Sequence, residues 1–224
     1  MDFFSAPWLS ALLAIVLIDL VLAGDNAIVI ALAARRLPAH LQTRAIIWGS
    51  VGAIVVRSVM TLGVVWLLKI PGLMLVGGLG LVWIAYKLLV PDEGGTEHGA
   101  GATTFWGAMK TIVIADALMG VDNVLGVAGA AKGGMELVVI GLLISVPIVV
   151  WGSTLVLKLV ERFPVIIYIG AGVLAYTAAH MIVAEPLLKG VFDADVANRV
   201  IVHVVLVAGV LAAGWWTARS RRVA

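Results

Sequence analysis

Apolar residues run along this 224-residue chain in long unbroken blocks, and polar residues are confined to the gaps between them. Seven such blocks stand out, at 7–34, 45–68, 71–89, 105–131, 137–157, 164–184 and 200–218. At about 1.5 Å of rise per residue, a helix over any of them crosses a hydrocarbon core of about 30 Å. Backbone groups in lipid must be satisfied by a helix or a closed barrel, and barrel strands alternate apolar and polar positions, which these blocks do not. The pattern predicts an all-α, polytopic membrane protein with seven transmembrane helices. The first block lacks the basic flank of a secretory signal and runs past twenty residues, so it is expected to stay as a mature helix.

The gap at 90–104 holds Asp92, Glu93, Glu97, His98 and several glycines, the composition of a flexible linker. It divides the chain into three helices (7–89), three more (105–184) and a seventh (200–218) within one transmembrane domain. The two groups resemble each other. Ile18-Asp19 through Gly24-Asp25-Asn26 is echoed by Ala115-Asp116 through Val121-Asp122-Asn123, each copy reading D-x(5)-D-N at an offset of 97. Pro71, Gly77 and Leu81 recur as Pro164, Gly170 and Leu174 at an offset of 93, which sets Lys87 opposite His180. Because each copy has three spans, the second enters the membrane from the opposite side, which predicts two inverted repeats plus a seventh helix.

Composition agrees with this reading. Apolar residues make up 62% of the chain and charged residues 12%, with a mean hydropathy of +1.14. The net charge of +2 reflects residues that flank the blocks, so no nucleic-acid partner follows from it. Arg35, Arg36, Arg44, Lys158, Arg162, Arg219, Arg221 and Arg222 all fall on one side by parity. The positive-inside rule therefore predicts a cell-membrane protein with its N-terminus outside and the 90–104 linker and C-terminus in the cytoplasm. With no cysteine, disulfides and thiolate metal sites are excluded. No activated serine or HExxH pattern suggests an enzyme.

The chemistry lies in the doubled motif. A carboxylate at the centre of a membrane helix costs roughly 2.5–3.5 kcal/mol on insertion scales, so four of them need a purpose. Asp19, Asp25, Asn26, Asp116, Asp122 and Asn123 supply hard oxygen ligands, which suit Mg²⁺, Mn²⁺ or Ca²⁺ better than soft metals. The structural alternative is protonated aspartates hydrogen-bonded between helices. On an ideal helix Asp19 and Asn26 share a face, and Asp25 lies about a third of a turn away. Gly24 and Gly120 are expected to let the helices unwind locally and turn the second aspartate inward. Asp25 and Asp122, with Asn26 and Asn123, are expected to coordinate the ion at the midplane, and in the inverted arrangement Asp19 near the outer face and Asp116 near the cytoplasm are expected on its access paths as ligands or proton carriers, a pair of gates. Arg57, thirteen residues into the second block with no charged counterpart in the repeat, is expected to pair with an aspartate. Lys87 and His180 complete the candidate charge partners and proton relays, although Lys87 can also snorkel to the interface.

Gly24-Asp25-Asn26-Ala27 with Asp19 upstream, Arg35-Arg36-Leu37-Pro38 after it, and the later Asp116 and Val121-Asp122-Asn123 resemble the TerC family of integral membrane proteins over nearly the whole chain. The TerC family is associated with tellurium-resistance loci, and the resemblance implies a Mn²⁺ exporter within the larger LysE transporter group. Its acidic motif positions fall on the six residues named above, with proton exchange as a candidate coupling. An amino-acid efflux protein and a non-transporting partner that delivers metal to exported proteins are the alternatives. The first is disfavoured because acids outnumber Arg57.

Overall fold

A computed structural model describes residues 5–67, 70–90, 104–131, 135–192 and 196–223; the side chains at 122, 123 and 125–131, among others, lie outside that description. Every regular element among the described residues is helical: α1 (Ala6–Ala34), α2 (Ala39–Leu62), α3 (Val64–Leu67), α4 (Leu73–Leu89), α5 (Phe105–Ala131), α6 (Met135–Arg162), α7 (Val165–Ala184), a 3₁₀ turn (Pro186–Leu188), α8 (Lys189–Phe192) and α9 (Val196–Val223). Four of these, α2, α6, α7 and α9, contain described stretches long and apolar enough to cross a membrane, and α4 is a shorter apolar helix. Most of the linker at 90–104 lies outside the described residues.

Helix ends depart from the hydropathy blocks for a physical reason. Hydropathy marks the lipid-facing length, whereas backbone hydrogen bonding continues into polar residues. Thus α2 begins at Ala39, directly after Pro38, and includes His40, Gln42 and Arg44 ahead of the apolar run. It stops at Gly63, so the block at 45–68 is two helices and not one. The expected unwinding also fails: α1 runs unbroken through Gly24 and α5 through Gly120. In lipid each freed backbone group costs several kcal/mol, and glycine alone does not repay that. The chain after α7 forms the 3₁₀ turn and α8, which the apolar pattern did not signal.

Membrane helices gain nothing from burying apolar surface against one another, so close packing between small residues carries the association. The main pairings are α1 with α6, α2 with α5 and α4 with α7. Ile15 of α1 lies against Gly141 of α6, and Ile112 of α5 against Gly49 of α2, each with no room for a Cβ on the glycine. The buried stripe of α7 is Gly170, Ala171, Leu174, Ala175, Ala178, Ala179, Met181 and Ile182, small residues at five of its eight positions. Outer faces remain apolar and exposed, as at Trp66, Trp106, Trp151 and Val200.

α4 is held at both ends by charged side chains from elsewhere. At its C-terminus Arg35 Nη2 donates to the Leu88 carbonyl at 2.8 Å and Arg36 Nη2 to the Val90 carbonyl at 3.0 Å. At its N-terminus Gly72 takes a positive φ of 80°, where glycine carries no steric penalty. There the N–H groups of Gly72, Met74 and Leu75 donate to the Glu185 carboxylate at 3.0–3.2 Å. Both contacts match the helix dipole, with cations at the C-terminus and an anion at the N-terminus. α9 joins the arginine-bearing end, where Tyr86 and Thr217 share a hydrogen bond at 3.1 Å and Leu89 packs on Gly214. Leu157, near the end of α6, clusters there with Ala34, Leu37 and Ala45. Three basic segments therefore gather at one end of the bundle.

Candidate cation site

The centre of the site is one guanidinium between two carboxylates. Arg57 of α2 donates from Nη1 to Asp19 Oδ1 of α1 at 2.5 Å and from Nη2 to Asp116 Oδ1 of α5. All three side chains are buried, at 5%, 2% and 6% exposure. Two aspartates at matching positions of the repeated motif thus meet on one arginine that the motif does not repeat. Counted as ionised, the triad carries one net negative charge in a poorly solvated interior. Such a cluster contributes little net stability, because desolvation offsets the Coulomb attraction, but removing one partner strands the others. The expectation that Asp19 and Asp116 stand apart as outer and inner gates does not hold. Both motifs lie on helices that cross at Arg57, so the carboxylates form one centre.

A cavity of about 30 Å³ adjoins the triad, lined by Asp19, Asn26, Ser50, Arg57, Asp116 and Ser145 together with apolar residues of α1, α2 and α6. It has room for one or two water-sized particles. Asp116 Oδ2, Asn26 Oδ1, Ser50 Oγ and Arg57 Nε are buried and have no hydrogen-bond partner among the described residues. Three of those four atoms are oxygens able to face a cation, at a site where unpaired polar atoms are otherwise costly. Ser145 Oγ donates instead to the Leu142 carbonyl at 2.9 Å. Pro147 lies two positions further along α6 and lacks an N–H, so the helix cannot close every backbone bond beside the cavity.

Asp25 takes a different position. It does not line the cavity; its carboxylate accepts the Asn26 N–H at 2.9 Å and the Thr177 hydroxyl of α7 at 3.3 Å. Helix geometry accounts for this, since an unbroken α1 keeps Asn26 on the Asp19 face and turns Asp25 toward α7. Asp122 and Asn123 fall on α5, with side chains outside the described ones. Lys87, near the end of α4, lies 5.8 Å from the Trp83 ring centroid. His180 stands on an exposed part of α7, its ring centroid 6.4 Å from that of His203. Neither lines the cavity. Among the described residues no group of three or more His, Cys, Asp or Glu is placed to hold a metal, so a site here draws on amide, hydroxyl and carboxylate oxygens together.

Four residues escaped the sequence reading. Ser50 and Ser145 recur at an offset of 95, close to that of the motif, and this was a usable signal. Thr177 and Glu185 act across helices and leave no local pattern.

The fold and this centre define a class: a helical membrane protein with a buried, charge-unbalanced cluster at the meeting of two similar motifs. The chain matches the model of the "Integral membrane protein TerC family" over residues 4–222 and belongs to that family. It is 47% identical over 182 residues to the "Uncharacterized membrane protein YjbE" of Bacillus subtilis, covering 81% of this chain and 83% of that one. It is also 26% identical over 174 residues to the "UPF0053 inner membrane protein YgdQ" of Escherichia coli K12, covering 70% and 73% of the two chains. No solved structure matches the chain.

Proposed function

We propose that the protein exports hard divalent metal ions, Mn²⁺ foremost, from the cytoplasm through the Asp19–Arg57–Asp116 centre. The observation that carries this reading is the pairing of two buried carboxylates with a single guanidinium beside a small cavity lined by unpartnered oxygens. Arg57 acts as a tethered cation that satisfies the carboxylates while the site is empty. An entering divalent ion takes its place, bound by Asp19, Asp116 and Asn26, with Ser50 within the same cavity. Release of the ion returns the guanidinium to the carboxylates. Asp25, with Asp122 and Asn123 of the second motif, belongs to the path that the ion follows to and from this centre, and proton exchange is the coupling assigned to it.

The seven-span, inverted-repeat architecture is part of the same proposal. Exchanging α1 with α5, α2 with α6 and α4 with α7 turns the α1–α6 pairing into the α5–α2 pairing and leaves α4–α7 unchanged, and all three are main contacts of the bundle. The basic end faces the cytoplasm. An amino-acid substrate fits less well, because the cavity is too small for one and a substrate carboxylate would meet a net negative cluster.

Ion flux in vesicles tests the function. Inside-out vesicles with an internal pH dye should accumulate Mn²⁺, and their lumen should alkalinise in step as protons leave in exchange. Vesicles that bind Mn²⁺ without accumulating it would instead support a metal-delivering partner and overturn export.

A further inference from the structure

The arginine-bearing end carries a second cleft, unrelated to the aspartates. It opens between the first turn of α7 and the last turns of α9, encloses about 280 Å³ and is lined by Tyr168, Trp215, Ala218 and Arg219. The Arg219 guanidinium carbon lies 5.1 Å from the Trp215 ring centroid. At this distance the ring holds the guanidinium by a cation–π contact, which uses none of its N–H donors and so leaves them for acceptors such as phosphate. Tyr168, whose side chain ends in a hydroxyl, lines the same cleft.

The surroundings say which phosphate. Only 6% of the apolar window of α9 is buried, so this helix meets lipid along almost its whole length. Ile169 of α7 and Trp216 of α9, next in sequence to two of the lining residues, are exposed. Tryptophan and tyrosine at the end of an apolar helix mark the level of the lipid headgroups, and basic clefts between helices at that level suit anionic lipids. A soluble anion would gain nothing from the apolar flanks. We propose that this cleft binds the phosphodiester of an anionic phospholipid, with Arg219 paired to the phosphate, Tyr168 donating to it and the acyl chains lying along α7 and α9. The site is independent of any metal that the protein moves.

The test uses the full chain, purified in detergent and stripped of lipid. Native mass spectrometry should show phosphatidylglycerol retained in preference to phosphatidylcholine, and phosphatidylglycerol should raise the thermal midpoint. Arg219→Gln should weaken phosphatidylglycerol retention about fivefold, the effect expected of one basic side chain at a headgroup. Arg44→Gln, which removes an exposed arginine elsewhere, should leave retention unchanged, and Tyr168→Phe should weaken it less than Arg219→Gln. Equal retention by wild type and Arg219→Gln, or an equal loss in Arg44→Gln, would overturn the site. Reproduction of the thermal shift by inorganic phosphate alone would show a soluble-anion site and overturn the lipid assignment.

Discussion

Asp19 and Asp25 belong to one short motif on one helix, and they meet opposite fates. Asp19 is buried on α1 and shares a guanidinium with an aspartate from the other half of the chain. Asp25, six residues on, is half-buried and held by its neighbour's N–H and by the Thr177 hydroxyl. The difference is rotational: six helical steps place Asp25 on another face, whereas seven return Asn26 to the face of Asp19. Two acids of the same motif therefore face an ion-paired cluster and a neighbouring helix respectively, and sequence proximity does not bring them to one place.

Removing the shared partner is the harshest way to break this contrast. Arg57→Ala strands two buried carboxylates, and the loss of a partner from such a cluster costs about 3–5 kcal/mol. Thermal unfolding in metal-free detergent should shift accordingly, and added Mn²⁺ should restore much of the loss by replacing the guanidinium. Apparent Mn²⁺ affinity should rise and turnover fall. An Arg57→Ala protein with unchanged stability and flux would reduce Arg57 to packing.

Next in size are the carboxylates themselves. Asp19→Asn and Asp116→Asn keep side-chain size and remove one charge each, and both should abolish Mn²⁺ efflux while leaving membrane insertion intact. Asp25→Asn should impair efflux less than either. A larger defect in Asp25→Asn, measured by manganese accumulation in cells that lack other exporters, would reverse the assignment of the centre.

Glu185 sharpens the contrast from outside the site, as a carboxylate that already has all its partners. Burial pushes its carboxyl up, but N–H groups of Gly72, Leu187, Leu75 and Met74 outweigh this and hold it below the ordinary glutamate value of 4.5. A group depressed in the folded state contributes stability above its unfolded pKa and loses it as pH falls through the folded value. Stability of wild type should therefore decline on acidification below about pH 4.5. Glu185→Gln should lose about 1 kcal/mol at neutral pH, as for a helix N-cap, and show a flatter acid limb. Flux at neutral pH should change little. An unchanged acid limb would show that Glu185 does not link the ends of α4 and α7.

The smallest effect is expected at Thr177→Val, which removes one hydroxyl donor to Asp25 and should cost about 0.5–1.5 kcal/mol. A transport defect as large as that of Asp19→Asn would place Asp25 back in the centre.

Helical class, membrane residence, the repeated motif and the facing of Asp19 with Asn26 were legible in the sequence, because lipid forces backbone bonding into helices and helices impose a fixed angular step. Family membership was legible too, carried by the motif phrases at 19–38 and 116–123. What the chain could not show is which carboxylates meet. Asp19, Arg57 and Asp116 lie far apart in sequence, and only the pairing of α1, α2 and α5 around small residues brings them together. The same holds for Glu185 and for Arg35 and Arg36, which read as loop charges and prove to bind the ends of α4. Local patterns record what each helix does against lipid. Contacts between helices depend on how those helices dock, and docking in a membrane is decided by the fit of side chains from distant segments.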